Sequence, residues 1–146
     1  RHHGKWDLVT SNIDKWITNP KNKNIEFDVA ITVTNLNVYY LDEIIDWCQL
    51  NNLKLFLIDV SRPEFYASYN LPNRVKDSIN KKFDIYLYKT QLPDFVKSSI
   101  IGSLNNMNSK EFDVDLWFQF KQKNGILDKT RNQKFQDTFP ELNSLI

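Results

Sequence analysis

Residues 25–60 read IEFDVAITVTNLNVYYLDEIIDWCQLNNLKLFLIDV. The first ten positions alternate. Phe27, Val29, Ile31 and Val33 fall on one side of an extended chain, and Asp28, Ala30, Thr32 and Thr34 fall on the other, the period-2 pattern of a strand. Between 39 and 51 the period lengthens: Leu41, Ile44, Ile45 and Cys48 share one helical face. Residues 54–60, KLFLIDV, then form a short, almost wholly apolar run, which predicts a strand buried in a parallel sheet. A strand, a helix of this length and a second strand make a βαβ unit, with parallel strands and a right-handed crossover. Two strands alone do not make a stable sheet, so the unit is expected to be the back half of a larger α/β arrangement.

On the N-terminal side, Trp6, Val9, Ile13, Trp16 and Ile17 recur at helical spacing, predicting a helix over 6–18 that NPKNKN, with Pro20, brings to a stop. On the C-terminal side, SRPEFYASYNLP (61–72) reads as a loop. Asn70 is expected to cap the next helix, with Pro72 in its first turn. Leu71, Val75, Ile79 and Phe83 then recur every four residues. FDIYLYKT (83–90) reads as strand or loop, and 93–107 as a helix. Residues 112–120 fit both periods. Val114, Leu116, Phe118 and Phe120 alternate like a strand, while Phe112, Leu116 and Phe120 fit a helix face. At the end of the chain, Phe135, Phe139 and Leu142 make a helical stripe interrupted by Pro140. That predicts a short helix ending near Thr138 and a tail that docks on the body.

Composition narrows the function classes. With 146 residues, 41% of them hydrophobic, and a net charge of +1, the chain can build a core and carries no basic block of the kind nucleic acid requires. No apolar run approaches the roughly 20 residues of a membrane helix. A single cysteine excludes an internal disulfide and fits a reducing, cytoplasmic compartment. The three glycines, Gly4, Gly102 and Gly125, are too far apart for a phosphate loop. Zinc spacing is absent, and the adjacent His2 and His3 have no further ligands beside them.

The remaining chemistry is positional. In parallel α/β folds, ligands gather at the carboxyl ends of the strands. Here those ends offer Thr32, Thr34 and Asn35 after the first strand, and Asp59, Ser61 and Arg62 after the second. Thr34 and Asp59 are expected on the polar faces of their strands, directed into a barrel. Each also has an ordinary structural reading. Thr34 is a good strand residue, Asn35 or Asn37 suits a helix cap, Asp59 suits a buried hydrogen-bond network, and Arg62 a surface charge. Cys48, on an apolar helix face, reads as a core residue.

Taken in order, RHHGKWDLVTSNIDKW, FDVAITVTNLNVYYLDEIIDW, FLIDVSRPEFYASYNLPNRVKDSI and LDKTRNQKFQDTFPEL resemble the C-terminal half of radical S-adenosylmethionine proteins of the twitch-domain type. The matching features are an Arg-x-x-Gly-x-Trp stretch at Arg1, Gly4 and Trp6, and a Thr-x-x-Asn end to a strand at Thr34 and Asn37. They continue with a proline and aromatic loop at 63–66, a Leu-Pro helix start at 71–72, and a Leu-Asp-x-x-Arg then Phe-Pro-Glu-Leu ending. The resemblance covers nearly the whole chain. It implies an α/β fold: the C-terminal portion of a partial (β/α) barrel with parallel strands, followed by a mainly helical C-terminal extension. Residues 1–68 would be the barrel-type segment and 69–146 the extension with its docking tail.

The resemblance further implies S-adenosylmethionine and a [4Fe–4S] cluster in the full-length protein. Arg1, Thr32, Thr34 and Asn35 would lie at the cofactor, and Asp59 and Ser61 at a cavity for a peptide or small-molecule substrate. The expected partner is the N-terminal half of the barrel, in the same chain or another. The sequence departs from the pattern in lacking the Cys-x-x-x-Cys-x-x-Cys loop, and one cysteine cannot hold such a cluster. No cofactor is therefore expected on this chain alone. A non-catalytic interaction module derived from the same fold is the other expectation.

Overall fold

The computed structural model describes residues 5–146; Arg1 lies outside the described residues. Helix α1 spans Trp6–Thr18, β1 Asp28–Val33, α2 Leu41–Leu50 and β2 Lys54–Asp59. Four longer or shorter helices and a final one follow: α3 Asn73–Lys89, α4 Asp94–Met107, α5 Val114–Arg131, α6 Phe135–Thr138 and α7 Pro140–Leu145. The described chain is mixed α/β and mostly helical. β1 and β2 pair in parallel, from Asp28 opposite Lys54 to Val33 opposite Asp59, as the βαβ reading requires. The left-handed backbone at Asn52 (φ 53°) turns the chain from α2 into β2, a conformation asparagine tolerates better than most residues.

One face of the sheet is covered and the other is open. Ile31, Val33 and Leu55 point into the core with Leu41, Ile45 and Cys48 of α2 and with Val96 and Ile100 of α4. On the opposite face Ala30 and Thr32 are exposed, and Phe56 and Ile58 retain 52% and 54% of their accessible surface. This corrects the expectation that residues 54–60 are buried throughout: among the described residues the helices cover one side only.

Three local readings change for identifiable reasons. The segment 83–90 completes α3, because Phe83 is buried and Tyr86 and Leu87 are half-buried at spacings of three and four, whereas Ile85 and Tyr88 face solvent. Residues 114–120 are helical, and only Trp117 and Phe120 of that stretch are buried, three positions apart. Asp113 starts this helix by accepting from the backbone of Asp115 (2.8 Å) and Leu116 (3.0 Å). Asn70 does not cap α3. Its side-chain oxygen accepts instead from the backbone N–H of Asp113 at 3.1 Å, tying the loop after β2 to the start of α5.

A single core cluster runs from β1 and β2 through α2, α3, α4 and α5 to Leu142 in α7. Lys82 of α3 binds the first turn of α2: its ammonium lies 2.7 Å from Asp42 Oδ1, 2.7 Å from the Tyr39 carbonyl and 4.3 Å from the centre of the Tyr39 ring. Helix α1 is held more lightly. None of its residues is buried, and Trp6 meets Trp47 edge to face at 5.2 Å. Among the described residues, no helix is long and apolar enough to cross a membrane.

Candidate functional site at the carboxyl ends of the strands

β1 and β2 end side by side, with Val60 N–H donating to the Val33 carbonyl at 2.9 Å. The bonded carbonyl at Val33 turns the backbone groups of the even-numbered residues of β1 to the other edge. There the Thr32 carbonyl accepts from Asn37 Nδ2 at 2.9 Å, so a side chain closes this end of the edge. Asn37 also uses its oxygen, which accepts from Thr34 N (2.8 Å) and Thr34 Oγ1 (3.3 Å). The Thr34 hydroxyl in turn accepts from Leu36 N at 3.2 Å. The Thr-x-x-Asn spacing is thus a compact side-chain turn that ends the strand and launches the following helical turn.

Asn35 joins this loop to the next one. Its backbone N–H donates to the Tyr66 carbonyl and its Nδ2 to the Phe65 carbonyl, both at 2.9 Å. Tyr66 then packs at right angles on Phe120 of α5, with 6.0 Å between ring centres. Asn35 is fully enclosed, and its Oδ1 has no hydrogen-bond partner.

The sequence-selected residues therefore divide. Thr34 and Asn35 stand together within the joined loops, and Thr32 lies on the open sheet face, in register with Ile58. Ser61 and Arg62 are exposed in the loop beyond β2. Asp59 lies on the side opposite to that expected. It follows Leu55 and Leu57 in parity, and it accepts from Ser103 Oγ of α4 at 3.1 Å, because strand alternation carries it toward the helix layer. Ser103 was not singled out by the sequence reading; its helical spacing from Val96, Ile100 and Met107, the other buried residues of α4, is the signal that could have found it. Ser68 and Asn70, buried in the loop after β2, have no periodic signal to betray them.

Among the described residues, five buried polar atoms lack partners: Asn35 Oδ1, Asp59 Oδ1, Ser68 Oγ, Asn70 Nδ2 and Asn106 Nδ2. All belong to the loops beyond the strands, to the end of β2, or to α4. Buried groups of this kind are normally hydrogen-bonded, so this end of the sheet holds donors and acceptors that exceed what the fold itself uses. Cys48 is fully buried in the core, where burial pushes its thiol pKa up. The described residues hold no group of three or more His, Cys, Asp or Glu side chains suited to a metal ion. The donor set of this chain therefore does not fit a cluster that needs three thiolates. Compared with family models, curated proteins and solved structures, the chain matches none.

Proposed function

We propose that this chain is the substrate-side, C-terminal part of a radical S-adenosylmethionine enzyme, catalytically incomplete without an iron–sulfur half. One observation carries the reading. Helices cover only one face of a parallel strand pair, while the other, bearing Thr32, Phe56 and Ile58, is open as the inward face of a partial barrel would be. The ordered series of short motifs supports the same reading, and their structural roles are coherent. The Thr34–Asn37 pair ends the strand, and Asn35 fastens the loop carrying Phe65 and Tyr66.

On this reading S-adenosylmethionine, together with a cluster held by the other half, supplies the radical chemistry. Thr32 faces the cofactor side, Arg1 is assigned to the cofactor by the resemblance alone, and Ser61 borders the substrate side. Thr34 and Asn35 act first by positioning, since the Thr34 hydroxyl and the Asn35 N–H and Nδ2 are bonded within the loops while Asn35 Oδ1 is left unpartnered, and Asp59 supports α4 from behind. A second reading, a non-catalytic interaction module of the same fold, draws on the exposed apolar side chains of the sheet and of α1, among them Phe56, Ile58, Trp6 and Trp16.

The deciding experiment is anaerobic purification of the polypeptide in which this chain occurs, reconstitution with iron and sulfide, and assay for 5′-deoxyadenosine. The enzyme reading expects visible charge-transfer absorbance and 5′-deoxyadenosine from that polypeptide, and neither from the 146-residue chain by itself. A polypeptide that forms no cluster and releases no 5′-deoxyadenosine overturns it in favour of the interaction module.

A further inference from the structure

Between the loop after β1 and the C-terminal helices lies a cleft of about 250 Å³. Its walls are apolar: Leu36 from the loop, Leu127 from α5, and Phe135 and Phe139 from the tail. Its rim is polar, with Asn124, Asp128, Arg131 and Gln133. An apolar wall with a few convergent polar groups is the usual make-up of a small-molecule site. The volume falls below the roughly 300–1,000 Å³ of pockets for drug-sized ligands, so the cleft suits a group of side-chain size.

The two charges on the rim are not equivalent. Asp128 and Arg131 stand three residues apart on α5, a spacing at which helical side chains can pair. They form no ion pair; the salt bridges among the described residues are Lys54–Glu26 and Lys82–Asp42. Asp128 is committed elsewhere, since its Oδ2 accepts from Phe135 N–H at 2.8 Å and fixes the turn into α6. Arg131 is left exposed with no counter-ion among the described residues. Two of the last four carbonyls of α5 are satisfied: Gln133 N–H donates to the Asp128 carbonyl at 3.0 Å, and Asn132 N–H to that of Lys129 at 3.4 Å. That reduces the negative character of the helix end. Residues 121–138 carry five basic side chains against the two carboxylates of Asp128 and Asp137, a net positive local charge.

We infer that this cleft is a binding site for a small apolar carboxylate. The apolar part lies between Leu36, Leu127 and the two phenylalanines, and the carboxylate meets the Arg131 guanidinium, whose planar donor pair matches two carboxylate oxygens. Asn124 and Gln133 supply side-chain amides beside it. The inference rests on the cleft alone and stands apart from the radical chemistry proposed above.

The test uses the 146-residue chain labelled with nitrogen-15 and titrated with 3-phenylpropionate. Two matched probes accompany it: the neutral 3-phenylpropanamide and the cationic 3-phenylpropylamine. The expected result is saturable, millimolar binding of the carboxylate, with shifts at Arg131 Nε–H and at the side-chain amides of Asn124 and Gln133. The amide should bind about tenfold more weakly, and Arg131→Gln should weaken the carboxylate by a similar factor, as for loss of one charge-assisted contact. Absence of saturable shifts overturns the inference. So does equal binding of the three probes, a comparison that needs no variant, or a folded Arg131→Gln protein that binds the carboxylate as the parent does.

Discussion

The Tyr40 hydroxyl donates to Glu141 Oε2 at 2.9 Å, although 101 positions separate the two residues. The same hydroxyl accepts from Leu142 N–H at 3.4 Å, and the Tyr40 ring lies 6.0 Å from that of Phe139. One side chain, just before α2, thus holds the start of α7 by two polar contacts and an aromatic one. Tyr40→Phe keeps the ring and removes both hydrogen bonds. The expected outcome is a small drop in the urea midpoint with a much larger rise in amide exchange at Leu142, the behaviour of a local opening. Equal exchange in parent and variant would show the contact to be incidental.

The same contact makes stability depend on pH at both ends. Burial, with a further contribution from Glu141, pushes the Tyr40 pKa up from 10.0 to about 12. The folded chain therefore holds this proton more tightly than the unfolded chain. The associated stability is complete below pH 10 and is lost as pH rises from there through about 12. Tyr86, half-buried and donating to Asp46 Oδ1 at 2.6 Å, is shifted in the same direction. Glu141 is held below the usual carboxylate range, first by its own backbone N–H and then by the Tyr40 hydroxyl. Its contribution is present at neutral pH and fades as pH falls through that depressed value. In alkaline urea titrations Tyr40→Phe should flatten part of the loss above pH 10, and Tyr40→Phe with Tyr86→Phe most of it. An alkaline limb unchanged in the double variant would assign the loss to other groups.

Leu142 gives the tail its most deeply buried apolar anchor. It is fully buried in the same core as β1 and α3, and Phe135 and Phe139 pack beside it, 5.2 Å apart between ring centres. Leu142→Ala should cost about 2–5 kcal/mol in denaturant unfolding, the range for large-to-small changes in a closed core. Ending the chain at Lys129 removes all three side chains and should lower the melting temperature further or leave the protein insoluble. Unchanged melting of the truncated chain would make the tail a surface segment.

How far the fold was legible follows from which signals compete. α1, α2, both strands and α4 lie within a few residues of their sequence-based limits, because one period governs each. The tail was readable as well: Pro140 ends α6 before Phe139 and then occupies the first turn of α7, where its missing N–H costs nothing. Ambiguity arose where solvent-facing residues are as apolar as buried ones. Val114 and Phe118, 67% and 57% exposed, complete a false strand alternation in α5, and exposed Ile85 does the same between Phe83 and Leu87 in α3. At the site, sequence position located the loops correctly but not the direction of Asp59. That direction depends on which face α4 covers, and no local pattern records it. Arg131 was visible beside Asp128, yet its lack of a partner depends on the turn at Phe135, seven residues from Asp128.

Asn35 distinguishes a loop fastener from a ligand-contacting group. Its Nδ2 holds the Phe65 carbonyl, and its backbone N–H the Tyr66 carbonyl, from a fully enclosed position. Asn35→Ala deletes the first bond and leaves the second. A lost hydrogen bond that strands a largely buried carbonyl costs about 1–3 kcal/mol, so the variant should be destabilised by that amount. Asn35→Asp is more damaging at neutral pH, since it places a carboxylate against the Phe65 carbonyl oxygen in an enclosed site. Exchange at Asn35 N–H reports the loop directly, because that proton is covered only while Tyr66 stays in place. The fastening role expects faster exchange in both variants, greater in Asn35→Asp, together with a change in the Tyr66 ring signals where it meets Phe120. If Asn35→Ala keeps parental exchange and stability, the Phe65 loop is held by the Tyr66–Phe120 packing, and the buried amide of Asn35 is free to serve a bound molecule through its unpartnered oxygen.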